Sequence, residues 1–347
     1  KLNTRDMDPR FYKTCHIMEE TKEGIIGKLG LYCNGIRQFT GYVSDMGALP
    51  CLFYVEANGD MVRLDKNDDI SEILKECKYP PQTRALWTRD LNGDGQDDIA
   101  DDALWGYHRD AKIWAGWRGP YITPPEGRTL RDAWGNPFVF IIGEVATHDV
   151  NPDPDQKDIR AYRCIKTHDA GLNEPHEPGT NNGNSYWQEL PAAINPEPKT
   201  WMLSRDHAGI DTYYDDALEM ISYGQDGRPG GEGVDKDLVI TIFKQDWTGE
   251  VGGHAGYKDN KYCTKVTLHC PEYTEKQEPL IKREKIEISD NDDEYGINFA
   301  FGTTVPAGGA NCKKMDVPIG IRTITTNTGN TYIFSVIPSA NWVGTVK

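Results

Sequence analysis

None of the chain's eight cysteines forms a CxxC pair, which removes the spacing signatures of zinc ribbons, thioredoxin-like redox sites and c-type haem attachment. "KTCHIM" puts a histidine after Cys15 but lacks the upstream cysteine that a haem site needs. There is no GxSxG, no HExxH and no other metal-ligating histidine pair, and "SDN" at Ser289–Asn291 has no partner SxxK. The eight histidines, among them His108 and His168, are scattered and read as surface or satisfied core residues. An enzyme is therefore not expected. A basic stripe is missing too. With a net charge of −16 the chain has nothing to release counterions from phosphates, so nucleic acid is not an expected partner. The same charge disfavours an anionic membrane surface and is compatible with hard cations. No apolar run approaches the roughly 18 residues of a membrane span, and no signal-peptide pattern is present. The opening "KLNTRDMDPRFYKTC" reads as a cut or mature end.

What the chain does have is glycine and proline, 35 and 21 among 347 residues, a composition of short strands and long loops. Its 37% apolar content supports a buried core, and its length allows one large domain or two modest ones. The cysteines are even in number, which fits disulfides in an oxidising compartment; buried thiols in a cytosolic protein are the other reading. If residues 10–38 form one straight helix, Cys15 and Cys33 lie about 27 Å apart along it and cannot bond. Cys263 and Cys270, on one straight strand, point to opposite faces about 23 Å apart. Cys33 with Cys51 is the favoured short-range pair.

Periodicity is clearest at residues 10–38, where Met18, Ile25, Leu29, Tyr32 and Ile36 fall on one helical stripe. Gly24, Gly27 and Gly30 each weaken that helix by about 1 kcal/mol, so packing must hold it. "TGYVSDMGALP" ends it, with Gly41 as the stop. "DISEILKEC" predicts a short second helix, and "NPFVFIIGEV", "LEMISYG" and "KDLVITIF" predict strands. Residues 145–215 read as an excursion with short elements of their own. From about 245 the strands "YCTKVTLHC", "KREKIEIS", "YGINFAFGTTV", "VPIGIRTITT" and "NTYIFSVIP" follow at sandwich-like spacing, the last two joined by a "TNTGNT" hairpin.

Two stretches carry oxygen donors at meaningful spacing. In "DLNGDGQDDIAD", Asp90, Asn92, Asp94, Gly95, Asp98 and Asp101 occupy positions 1, 3, 5, 6, 9 and 12 of a calcium loop, and Gln96 at position 7 would offer its carbonyl. The departure is aspartate at position 12, where an EF-hand has a longer glutamate, so the loop resembles those of dockerins and thrombospondin repeats. The plain alternative is an acidic, solvated turn. The second stretch, "SYGQDGRPGGEGVDKDLVITI", fails as a phosphate loop because GxxxxGK[ST] is absent, and as a dinucleotide fingerprint because a strand follows it. Asp226, Asp235 and Asp237 flank its glycine turn, and the residues alone leave a cation loop and an exposed turn both open. The aromatic cluster Trp105, Tyr107, Trp114, Trp117 and Tyr121 reads as core and sheet packing in preference to a sugar-binding face.

"YDDALEMISYGQDGRPGGEGVDKDLVI" resembles the C-terminal signature of the major pseudopilins of type II secretion systems. Upstream, "GWRGPYITPPEGRTLRDAWGNPFVF" resembles the same family's "GPY…DPWGNPYxY" segment, and residues 10–38 stand where the family has the exposed half of its pilin helix. The match covers 10–142 and 215–242. It implies a type IV pilin-like α+β core, a long N-terminal helix on a small antiparallel sheet, over 1–243. An all-β, sandwich-like domain at 244–347 lies outside it. It also implies a calcium ion in the last loop, held by Asp226, Asp235 and Asp237 with carbonyls around Ser222 and Arg228; with the first loop that makes two calcium ions. The family's filaments assemble through an N-terminal hydrophobic helix cut by a prepilin peptidase; here a precursor or a separate chain would supply it. The expected protein is a structural subunit of an extracellular or periplasmic filament, partnered by copies of itself or other pilin-like subunits. The alternative is a secreted binding or adhesion module whose β-domain docks a surface glycan or protein.

Overall fold

The computed structural model describes residues 8–28, 30–33, 36–64, 68, 73, 76–126, 129–143, 145–149, 159–166, 168–169, 187–189, 212–213, 217–228, 231–258, 261–273, 281–288, 297–302 and 311–347. Helix α1 spans Pro9–Ile26. Asp8 caps it by accepting the Arg10 amide at 2.9 Å, and proline occupies the first turn, where its missing N–H costs nothing. Thr14, Met18, Thr21 and Ile25 form its buried stripe. The helix stops twelve residues short of the predicted span. Gly27, at φ 81°, turns its amide back onto Glu23, and Gly41 packs so closely against it that a Cβ would overlap the Gly27 nitrogen. Tyr32 and Ile36 are therefore off the helix, Leu29 lies outside the described residues, and the axial separation expected of Cys15 and Cys33 no longer applies. Tyr32–Cys33 pairs instead with Ile36–Arg37, and Gly41 opens a second short helix, α2, Tyr42–Met46. The "DISEILKEC" helix and most of 145–215 lie outside the described residues.

The protein is mostly β, with this N-terminal helix and several antiparallel sheets. One sheet has Leu218–Ser222 at its centre, flanked by Val139–Ile142 and Leu238–Ile242. All five central residues are buried, and α1 lies along the outer strand, where Lys22 donates to the Thr241 carbonyl at 3.4 Å. Met18, Ile25, Phe138, Phe140, Met220 and Ile221 belong to the resulting core. A second sheet, of Leu52–Val55, Met61–Leu64 and Tyr79–Gln82, is tied to the same core by Gln82, whose buried amide donates to Phe138 and accepts from Leu130.

The C-terminal strands occur where the sequence predicts them. Lys265–Pro271 pairs with Ile281–Glu287 and Gly320–Thr326, and the latter with Thr331–Val336 across the "TNTGNT" turn. Two further strands, Thr248–Ala255 and Ala340–Val346, pair in parallel. "TGEVGGHA" looks like a turn in sequence because its glycines serve packing: a Cβ at Gly253 would collide with the Phe299 ring. Val251, Phe299 and Phe301 share a second core with Val266, Leu268, Ile324 and Val336. Cys263, Cys270 and Cys312 are free thiols, where disulfides were expected of them. Burial pushes the Cys270 thiol up to about 11. The Cys33 side chain lies outside the described residues.

The two cores meet at α2. Gly47 ends that helix at φ 78° directly against the Pro271 carbonyl, leaving no room for a Cβ, and Tyr273 donates to the Met46 carbonyl at 2.8 Å. Beside this contact the Arg322 guanidinium is wholly buried. It donates to the carbonyls of Pro318 at 2.9 Å, Ile321 at 2.8 Å and Ile319, and across the junction to Ser44 at 3.1 Å. Because Arg322→Ala would strand these acceptors without water, it should lower the unfolding free energy by about 3–5 kcal/mol in urea titration. A loss under about 1 kcal/mol would show that the guanidinium does not hold the junction.

Candidate functional site

The loop from Asp90 to Asp101 is built by short-range capping. Asp90 accepts the amides of Gly93 at 2.6 Å and Gly95 at 3.3 Å, Asn92 accepts Asp94, Asp94 accepts Gln96 at 2.7 Å, and Asp98 accepts Leu91 and Asn92. Each short side chain satisfies an amide that the tight turn leaves unpaired. Gly95, at φ 90°, takes the conformation that position 6 of such a loop requires. The Asn92 amide nitrogen stands 3.1 Å from both an Asp94 and an Asp98 oxygen, so these three side chains converge. Asp101 does not join them. Its side chain is 97% exposed and faces Arg89 at 3.6 Å, while Arg84 reaches the Asp90 carbonyl at 2.7 Å. Gln96 takes part through its backbone amide.

The loop closing the Leu218–Ser222/Leu238–Ile242 hairpin is held from below. Ser222 donates to the buried Asp132 carboxylate at 2.8 Å, and Asn136 donates to the Gly224 carbonyl at 2.8 Å. Asp132 also accepts the amides of Trp134 at 3.0 Å and Asn136 at 2.9 Å. Burial pushes its carboxyl above the usual carboxylate range, against the pull of those hydrogen bonds. The "DAWGNPF" turn and the glycine loop are thus one polar unit. Asp226 accepts the Arg228 amide at 3.0 Å, Asp235 sits in a 3-10 turn, and Asp237 is buried near Tyr223, whose phenol burial and the Asp237 charge push upward. These three aspartates do not gather into one cluster. Among the described residues no group of three or more His, Cys, Asp or Glu is placed to hold a metal ion.

A third polar centre was not legible in the sequence. Asp45 on α2 is buried, accepts Ser44 Oγ at 3.0 Å and pairs with Arg118 Nε at 3.0 Å. Arg118 also donates to the Phe39 carbonyl, and its guanidinium lies 4.6 Å over the Trp105 ring. The aromatic cluster divides here. Trp117 packs on the core and donates to the Ala85 carbonyl at 2.8 Å, and Tyr121 stacks edge-on against Tyr42, as packing would require. Trp105, Tyr107 and Trp114 are instead exposed, a correction to the packing expectation that follows from strand alternation. In the Gly106–His108/Ile113–Ala115 hairpin Tyr107 and Trp114 point outward, while Ile113 and Ala115 point in, and Trp105, just before the first strand, is exposed beside Trp114.

No protein-family model and no curated protein matches the chain.

Burial raises the Asp45 carboxyl from 3.8 to about 6, Arg118 opposing the shift. The folded state therefore holds this proton more tightly than the unfolded state. The resulting stability is complete below about pH 4 and is lost as pH rises towards about 6, a change of roughly 3 kcal/mol. Urea titrations at pH 4, 5 and 6.5 should show Asp45→Asn losing that part of the pH slope. Superimposable slopes for the two proteins would refute the assignment.

Proposed function

We propose that the chain is a structural subunit of an extracellular or periplasmic pilin-type filament, with a type IV pilin-like core extended by a β-sandwich-like domain. One observation carries this. The two sequence blocks that resemble the major pseudopilins, "DAWGNPF" and "SYGQDGRPGGEG", are about ninety positions apart yet lock together through Ser222–Asp132 and Asn136–Gly224. Helix α1 lies across the same three-stranded sheet that carries both. Polar ties of this kind give the chain a rigid scaffold, and the chemistry they favour is stabilisation, not turnover. Labelling the surface filaments of producing cells with antibody to this chain should decorate them along their length; filaments that never take the label would remove the assignment.

Calcium belongs to the proposal through the chemistry of the donors. In the first loop Asp94, Asp98 and Asn92 already converge on one point, filled by an amide N–H₂ whose oxygen and nitrogen exchange places on rotation. Rotated, Asn92 would offer oxygen beside two carboxylates. Asp90 and the Gln96 carbonyl complete the set, and Asp101 would have to leave Arg89. The second loop's expected set, Asp226, Asp235 and Asp237, is not gathered and would have to close around an ion. A bound cation would neutralise carboxylates that otherwise repel one another. Chelation should lower the melting temperature by about 4 °C or more, and Asp98→Asn should abolish most of that dependence. An unchanged melt in chelator would take calcium out of the proposal.

A further inference from the structure

The outer face of the Gly106–His108/Ile113–Ala115 hairpin carries a row of rings that the hairpin does not need for its own stability. Its inner face already buries Ala111, Ile113 and Ala115 to 1% exposure or less, and its turn is pinned to the C-terminal sheet by Thr323, which donates to the Ala111 carbonyl, and by Lys112, which reaches Thr331 Oγ at 2.9 Å. On the solvent side Trp105 and Trp114 stack at 6.0 Å with their planes 22° apart, and Tyr107 tilts against Trp114 at 5.5 Å. Arg118 closes the row over Trp105, itself fixed by Asp45 and the Phe39 carbonyl. The row is aromatic throughout and rigidly backed, so a ligand meeting it pays little ordering cost.

We propose that this face binds a neutral saccharide, whose C–H groups pack on the ring surface that this stack leaves exposed while its hydroxyls reach the indole N–H groups, the Tyr107 hydroxyl and the free edge of Arg118. Size and charge select this occupant. At 36%, 47% and 53% exposure, rings of about 200 Å² each offer roughly 300 Å². A stable protein interface takes about 800 Å² per partner, so the row is too small for a second chain and right for one or two sugar rings. The net charge of −16 and the prior engagement of Arg118 by Asp45 weigh against an anionic ligand. The site stands on the core and does not depend on filament membership.

The test is titration of the intact chain, followed by tryptophan fluorescence and calorimetry, with soluble oligosaccharides of glucose, N-acetylglucosamine, galactose and mannose. At least one series should bind saturably. Trp114→Ala should then weaken it roughly ten-fold at an unchanged melting temperature, with Trp114→Phe retaining most of the affinity. Trp342→Ala, at a tryptophan still more exposed but on the Ala340–Val346 strand, should leave binding as it was. Failure of all four series to bind, binding that Trp114→Ala leaves intact, or self-association that Trp114→Ala removes would each overturn the proposal.

Discussion

The buried guanidinium of Arg322 is the constraint on which the rest of the architecture turns. Taking such a charge out of water costs several kcal/mol, and the cost is met only where good acceptors surround it. Here backbone carbonyls from the sheet and from Ser44 of α2 surround it. Burial lowers its pKa to about 10, so it is still a cation at neutral pH. Separating α2 from the C-terminal sheet would break the Ser44 contact and lift Gly47 off the Pro271 carbonyl. The two cores are therefore coupled through a small, polar and fully desolvated contact in addition to any apolar area between them.

The same contact reaches the molecular surface in a few steps. Ser44 presents its carbonyl to Arg322 and its hydroxyl to Asp45, and Asp45 holds Arg118 over Trp105. Networks of this sort strengthen one another in a low dielectric, and they are costly when a member is lost. The rigidity of the outer aromatic row is thus inherited from the junction beneath it. The loops at 90–101 and 222–237 are organised differently: each is held by side chains capping nearby amides, the second with help from Asp132 and Asn136.

Local signals were legible and non-local ones were not. The strand runs after residue 245 and the hairpin around "TNTGNT" have β-branched periodicity and turn residues that need no partner to be recognised. Helix α1 is shorter than its apolar stripe suggests because the packing that would have to offset Gly24, Gly27 and Gly30 ends at Gly27, and only the fold brings Gly41 against Gly27. The Thr248–Ala255 strand was passed over because its glycines, which make room for Phe299, look like a turn. Asp45, Arg118 and Arg322 are ordinary residues in sequence, 73 and 204 positions apart in turn, and their significance exists only once packing removes the water around them. The aromatic row could have been separated from Trp117 and Tyr121 by strand alternation, had the short hairpin been recognised.

The parallel pairing of Thr248–Ala255 with Ala340–Val346 has a mechanical consequence. The first of these strands leaves the core directly after the short Lys244–Trp247 helix, and the second runs beside it in the same direction. A pull between the core and the far end of Ala340–Val346 draws the two strands past each other along their length. Their hydrogen bonds are then loaded together in shear and cannot be opened one at a time. The C-terminal unit is built to resist tension along that line, while a sideways force on its free edge would meet only one bond after another.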